Sequence, residues 1–184
     1  MVEGCRKGNR KAQSVLFKEY SPRFMGLCIR YSGNENDAKD VMQNGFISIF
    51  NSFKNFKSTG GNNEGKLVNW MKRIFINTYV WGLEKYKESP TDYTTDNYKH
   101  PSTDSSYKDD ETWLMNERHG ILKAEEVHDA LNTLTDRERV IFNMKVMDGY
   151  SLKEIASEME MKYSNVASGD FQARKKLRRF FRSI

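Results

Sequence analysis

The sequence predicts an all-α protein of two small helical bundles joined by a flexible linker, the C-terminal bundle containing a helix-turn-helix. Three observations predict it. Apolar residues recur at spacings of three and four along most of the chain, and no segment sustains a period-two alternation. A stretch between Glu88 and Glu111 drops that periodicity. Near the end, two boxes of the form Ser/Thr-x-x-Glu each open a short apolar-periodic run, the signature of capped helix starts.

Ala12, Val15, Leu16 and Tyr20 form one apolar stripe, and Phe24, Leu27, Cys28 and Tyr31 form another. Ser21-Pro22 between them reads as a cap and a first-turn proline, predicting a helix pair or one kinked helix. Ala38, Val41, Met42, Gly45, Phe46, Ile49, Phe50 and Phe53 mark the next helix. Gly60 to Gly65 reads as a polar, glycine-rich loop. Beyond it Leu67, Trp70, Met71, Ile74, Thr78 and Trp81 predict a helix running to about Lys87. Trp70 falls on the apolar stripe and is expected to anchor the core.

The break at Glu88 to Glu111 holds two of the three prolines, eight Ser or Thr residues, and seven acids against Lys99 and Lys108. Its large apolar groups are Tyr93, Tyr98 and Tyr107. So little burial cannot offset the entropy of ordering the segment, which reads as a linker.

Past the linker, Ile121, Ala124, Val127, Leu131 and Leu134 define a helix. Thr135 with Glu138 caps the next, expected to end near Asp148 with Gly149 in the left-handed position. Ser151 with Glu154 caps a short helix through Met159 that turns Ile155 and Ala156 inward. A last helix is predicted from about Ser164 to Phe181, with Val166, Ala173, Leu177 and Phe180 inward. A short helix, a brief turn and a longer helix make a helix-turn-helix, whose second helix enters the major groove.

Composition agrees. The 184 residues are 38% hydrophobic, and a mean hydropathy of −0.79 suits two small bundles better than one deep core. A net charge of +5 permits a polyanionic partner. Six of the positive charges (Arg174, Lys175, Lys176, Arg178, Arg179, Arg182) crowd the last eleven residues, without an acid. That run suits phosphate neutralisation, although a helix dipole also favours a solvated basic end. Ahead of it Ser164, Asn165, Ser168, Gly169 and Gln172, with Lys175, Lys176 and Arg179, are expected on the exposed face. Asn and Gln there can pair with adenine edges, at roughly 1–3 kcal/mol of discrimination per good pair.

Catalysis finds no support. His100, His119 and His128 are scattered, and Cys5 and Cys28 form no CxxC. Gly60, Gly61 and Gly65 match no phosphate-loop spacing, and the acid run Asp109-Asp110-Glu111 lies in the linker. No cofactor and no metal are expected. No stretch reaches the roughly 18 apolar residues of a membrane span. The polar N-terminus lacks the apolar core of a secretory signal, so a cytoplasmic protein is expected, with no membrane insertion.

Two sets of residues then carry a family resemblance. Ala130 to Thr135, Arg139 to Phe142, Gly149 to Ala156 and Ala173 to Leu177 resemble the promoter-binding C-terminal domain of bacterial RNA polymerase sigma factors. Ala38 to Gln43 with Phe46, and Trp70 to Ile74 with Asn77, resemble the N-terminal domain of the same family. The subgroup most similar is the small extracytoplasmic-function (ECF) sigma factors. The resemblance implies a sigma domain two over 1–88, an acidic linker over 89–116 and a sigma domain four over 117–184. It implies no enzymatic activity.

The same resemblance implies contacts with the beta-prime clamp and the beta flap of core RNA polymerase, with promoter DNA, and with an anti-sigma factor. By position, Asp40, Gln43 and Asn44 would face the clamp. Lys66, Asn69, Lys72, Arg73 and Asn77 would read and melt the −10 element, together with the loop from about Ser58 to Lys66. Ser164, Asn165, Ser168, Gly169, Gln172, Lys175, Lys176 and Arg179 would read the −35 element. For the linker the resemblance implies a path through the polymerase; a plain acidic tether is the other reading. The chain departs from the family at Gly169 and Gln172, where Arg is common, and at Asp170, where Phe171 is expected to take over the packing. Trp81 and Glu84 replace a usual acidic and basic pair. The rival functions are a stand-alone helix-turn-helix regulator and a protein that only sequesters polymerase or an anti-sigma partner.

Overall fold

A computed structural model of the chain describes residues 1–57, 63–84 and 123–183. Among them every regular element is helical. In the first region α1 (Val2–Arg6), α2 (Arg10–Ser32) and α3 (Glu35–Ser52) lead through a 3₁₀ turn (Phe53–Asn55) to α4 (Asn63–Glu84). In the second, α5 (Ala124–Asn132), α6 (Asp136–Phe142) and a π turn (Asn143–Met147) precede α7 (Leu152–Glu158) and α8 (Tyr163–Ser183). The linker at 89–116, the end of the fourth helix at Lys87, Ile121, and His100 and His119 lie outside the described residues.

Pro22 does not break its helix. It stands inside α2, although proline removes a helical N–H and its ring crowds the preceding turn, at a cost of about 3 kcal/mol. The two stripes read from the sequence are one. Leu16, Tyr20, Phe24, Cys28 and Tyr31 are all buried along a single face that crosses Pro22 without a change of phase. Burying side chains of this size contributes about 1.5–3 kcal/mol each, which outweighs the proline. The glycine-rich loop is also shorter than expected, because α4 begins at Asn63 and takes Glu64, Gly65 and Lys66 into its first turn.

The predicted caps form. Thr135 Oγ1 accepts from the Glu138 amide at 3.4 Å while Glu138 Oε2 accepts from the Thr135 amide at 2.9 Å. Ser151 and Glu154 repeat the pattern at 3.3 and 2.8 Å. Gly149 takes φ +76, the left-handed value that ends this stretch. Sequence periodicity gave no sign of α1, a five-residue helix held by buried Cys5, nor of the π turn.

Among the described residues three apolar clusters form the core. The first fills the N-terminal region, with Leu16, Phe24, Phe46, Ile49, Phe53, Met71 and Phe75 at its centre. Trp70 packs there against Phe53 and Phe56, with ring centroids 5.3 and 5.0 Å away, as a core anchor. Another lies within the C-terminal region, where Leu131, Leu134 and Phe142 meet Ala173 and Leu177. The remaining cluster is shared: Tyr31, Ile76 and Val80 from the first region pack on Val140, Ile141, Met144, Ile155, Met159 and Val166 from the second. The two regions are therefore joined by a common apolar core as well as by the chain.

Candidate nucleic-acid interfaces and the contact between the regions

Asp40, Gln43 and Asn44 are all exposed on α3, whose opposite face buries Ala38, Met42, Gly45, Phe46 and Ile49. Ile47, half exposed, lies one turn further along the same outer stripe. The sequence reading did not single it out. Asp40 and Asn44 border a groove between α3 and α4 that Tyr79 and Leu83 floor and Asp136 of α6 closes. Polar groups around an apolar floor suit a protein partner.

On α4, Lys66, Asn69 and Arg73 are exposed, and Lys72 and Asn77 are partly so. Two of these five cations and amides are engaged by the C-terminal region. Arg73 Nη2 donates to Glu158 Oε1 of α7. Lys72 Nζ stands 2.6 Å from Asp148 Oδ1. Trp81 lies further along α4 with 62% of its surface in solvent.

Asp148 is the hub of the contact. Its side chain is 1% exposed, and it draws three donors from the first region. Arg30 Nη2 donates to both its oxygens at 3.0 and 3.2 Å, Tyr31 Oη donates to Oδ2 at 2.5 Å, and Lys72 supplies the third. Burial first, and then the adjacent Asp148 charge and hydrogen bond, push the Tyr31 phenol well above its ordinary range, so it remains a donor. The π turn sets up this geometry. The Asp148 amide bonds the Asn143 carbonyl at 3.0 Å, one residue beyond the α-helical reach, which carries the carboxylate towards α2. Within the same turn Asn143, fully buried, donates through Nδ2 to the Arg30 carbonyl at 2.9 Å. At the other end of the contact the Arg139 guanidinium lies against Gly33, φ +79, where an added Cβ would collide with it. Arg30, Tyr31, Asn143, Asp148 and Glu158 were missed in the sequence, because polar pairs across two regions leave no periodic trace.

On α8 the expected reading face divides. Ser164, Asn165, Ser168 and Gln172 are partly exposed, and Lys175 and Arg179 fully so. Gly169 is a correction, because it is buried rather than displayed. An added Cβ there would stand 2.6 Å from Ile141 Cδ1, so the missing side chain serves the approach of α8 to α6. Lys176 turns inward in part, its Nζ 2.7 Å from Oε2 of Glu138, a carboxylate that is 2% exposed. Asp170 also departs from expectation. It is buried yet satisfied, accepting from Lys145 Nζ at 3.0 Å and Arg174 Nε at 3.1 Å. Of the six clustered cations, Arg174 and Lys176 therefore neutralise internal acids.

A helical chain with an exposed polar stripe on α3, a helix α4 carrying Lys66, Lys72 and Arg73, and a capped helix-turn-helix before a basic α8 has the surfaces of a transcription factor that meets both protein and DNA. Comparison with known proteins makes the class specific. Residues 16–80 match the family model for sigma-70 region 2, and residues 124–177 match that for sigma-70 region 4. The chain is 26% identical over 179 residues to the RNA polymerase sigma-H factor of Pseudomonas aeruginosa, covering 95% of this chain and 88% of that one. It is 26% identical over 180 residues to the ECF RNA polymerase sigma-E factor of Haemophilus influenzae, covering 95% and 89%. Among solved structures it resembles the sigma factor RpoE of Bartonella quintana, crystallised with the anti-sigma factor NepR. The TM-score is 0.53 and the identity 16%, over 96% of this chain and 98% of that one, a likeness of fold. The chain belongs to the sigma-70 family, in its ECF group.

Proposed function

We propose that this chain directs core RNA polymerase to specific promoters and assists their opening, as a non-catalytic initiation factor working where the polymerase does, in the cytoplasm. The observation that carries this is the presence of both sigma regions, in order, on one chain. A stand-alone helix-turn-helix regulator has no use for region 2. In this reading 1–88 is sigma domain two, 89–116 the acidic linker and 117–184 sigma domain four.

The clamp of the polymerase docks on Asp40, Gln43 and Asn44, and the flap on the C-terminal domain. Lys66, Asn69, Lys72, Arg73 and Asn77 serve the −10 element. A base taken out of the stack costs a few kcal/mol, which a pocket beside α4 offsets. The −35 element is read by Ser164, Asn165, Ser168 and Gln172, with Lys175 and Arg179 on phosphates and the half-exposed Lys176 beside them; Gly169 is removed from the set by its burial. An anti-sigma factor is a further expected partner, supported by the complex in which the Bartonella quintana sigma factor was crystallised.

The test is transcription reconstituted from core polymerase, this chain and fragmented DNA of the source bacterium. Transcripts whose start sites share two upstream elements are expected. A folded chain that adds no transcript to those of core enzyme alone would overturn the proposal.

A further inference from the structure

We propose that Arg30, Tyr31 and Lys72 form a phosphate-binding cradle on the N-terminal region, which takes a backbone phosphodiester of DNA and which Asp148 fills in the free protein. The inference extends the reading above, since it rests on the N-terminal region meeting DNA, and it adds a site to the −10 contacts.

The geometry is that of an oxyanion site. Two cations and a phenol converge on one carboxylate, with donor distances of 2.5 to 3.2 Å. The two oxygens of Asp148 stand where two non-bridging oxygens of a phosphodiester would sit, and both carry a single negative charge. Arg30 has spare capacity, because its Nε is buried without an acceptor. A tetrahedral phosphate, with oxygens in more directions than a planar carboxylate, could use that donor. With Asp148 withdrawn, the cradle holds two positive charges with no acid among its three members, on the rim of the helix that also carries Asn69 and Arg73.

The site and the packing of the two regions are then exclusive. Asp148 is contributed by the C-terminal region, so a phosphate enters only if that region moves away from α2 and α4. DNA and Asp148 compete for the same three donors, and the shared core of Tyr31, Ile76 and Val80 must open with them. Weakening Asp148 raises the fraction of chain able to bind DNA, and apparent affinity rises with that fraction.

The test is equilibrium binding of the full-length protein to a fluorescent single-stranded DNA of mixed sequence, titrated over a range of salt. Asp148→Asn, which keeps the shape but removes the charge and one of the two acceptor oxygens, is compared with Asp148→Ala, each checked for helicity by circular dichroism. Either folded variant should bind about tenfold more tightly than the parent, a gain of binding-competent population. The slope of log affinity against log salt should steepen by about one to two, for the cations released to phosphate. Arg30→Gln added to the Asp148 variant should cancel most of both gains. Unchanged affinity and slope in Asp148→Asn, or a gain indifferent to Arg30→Gln, would overturn the cradle. Polymerase binding by the same variants reports separately. A polymerase complex without the DNA effect sinks the cradle alone, and the DNA effect without a polymerase complex sinks the sigma assignment while keeping the cradle.

Discussion

Gly169 of α8 lies so close to Ile141 of α6 that a Cβ on the glycine would stand 2.6 Å from Ile141 Cδ1. The position that the sequence offers as part of a DNA-reading face is thus the point where the recognition helix presses on its own scaffold. A helix can approach this closely only where a side chain is missing, so the bareness of Gly169 sets the depth at which α8 is seated. The same device recurs in the other region, where α3 meets α4 at Gly45.

An added Cβ at Gly45 would collide with the Phe75 ring. That ring is fully buried, stacked on Phe24 at 4.7 Å and edge-on to Phe46 at 5.4 Å, so it has nowhere to go. Gly45→Ala gains about 1 kcal/mol in helix propensity but overpacks the core by about 1–3 kcal/mol. A net loss of up to about 2 kcal/mol is expected in urea unfolding. Gly26→Ala in α2, where nothing lies within 4 Å, should instead stabilise by about 0.5–1 kcal/mol.

The basic end of α8 should divide by function. Lys175→Ala and Arg179→Ala remove exposed cations, so each should leave stability within about 0.5 kcal/mol while flattening the salt slope of DNA binding by about one. Lys176→Ala leaves Glu138 buried without its amine partner. It should cost about 1 kcal/mol, allowing for solvent around the half-exposed lysine. Urea midpoints and salt titrations of the three variants separate the roles.

These contrasts show what the sequence disclosed. Thr135 with Glu138 and Ser151 with Glu154 are local patterns whose chemistry is complete within four residues, so both helix starts were legible. The stripe through Leu16, Tyr20, Phe24, Cys28 and Tyr31 was legible too, but Pro22 obscured its continuity, because local propensity and tertiary burial point opposite ways there. Asp40, Gln43 and Asn44 were offered by the family resemblance, and the periodicity of α3 agrees in leaving them outside its apolar stripe. Gly169 was misplaced because helical phase says which residues share a face, not which part of that face another helix covers. The engagement of Lys72 by Asp148 was beyond reach, since it depends on a π turn and on how two regions meet.

Both cysteines should be poorly reactive in the folded protein. Burial raises the Cys5 thiol and pushes Cys28 up to about 12, and it is the thiolate that reacts. At pH 8 a thiol-specific disulfide reagent should modify neither at an appreciable rate until denaturant is added. Rapid stoichiometric labelling of the native protein would contradict this burial.

The cap of α7 carries a pH dependence. Hydrogen bonds from the Ser151 amide, and then from its hydroxyl, lower the Glu154 carboxyl below its ordinary 4.5. A depressed folded-state value means the contribution is present above 4.5 and lost as pH falls through the lower folded value. The stability difference between the parent and Glu154→Gln should therefore be constant from pH 7 to about 5 and shrink below 4.5. Thermal melts across that range measure it.

The most direct test of the central claim is size-exclusion chromatography of the chain with purified bacterial core RNA polymerase, beside a folded Asp40→Ala/Gln43→Ala variant. A one-to-one complex is predicted for the parent, with the variant bound at least about tenfold more weakly, since polar anchors at an interface centre contribute about 1–2 kcal/mol each. A parent chain that elutes apart from the polymerase, folded and free of any inhibitor, would contradict the claim.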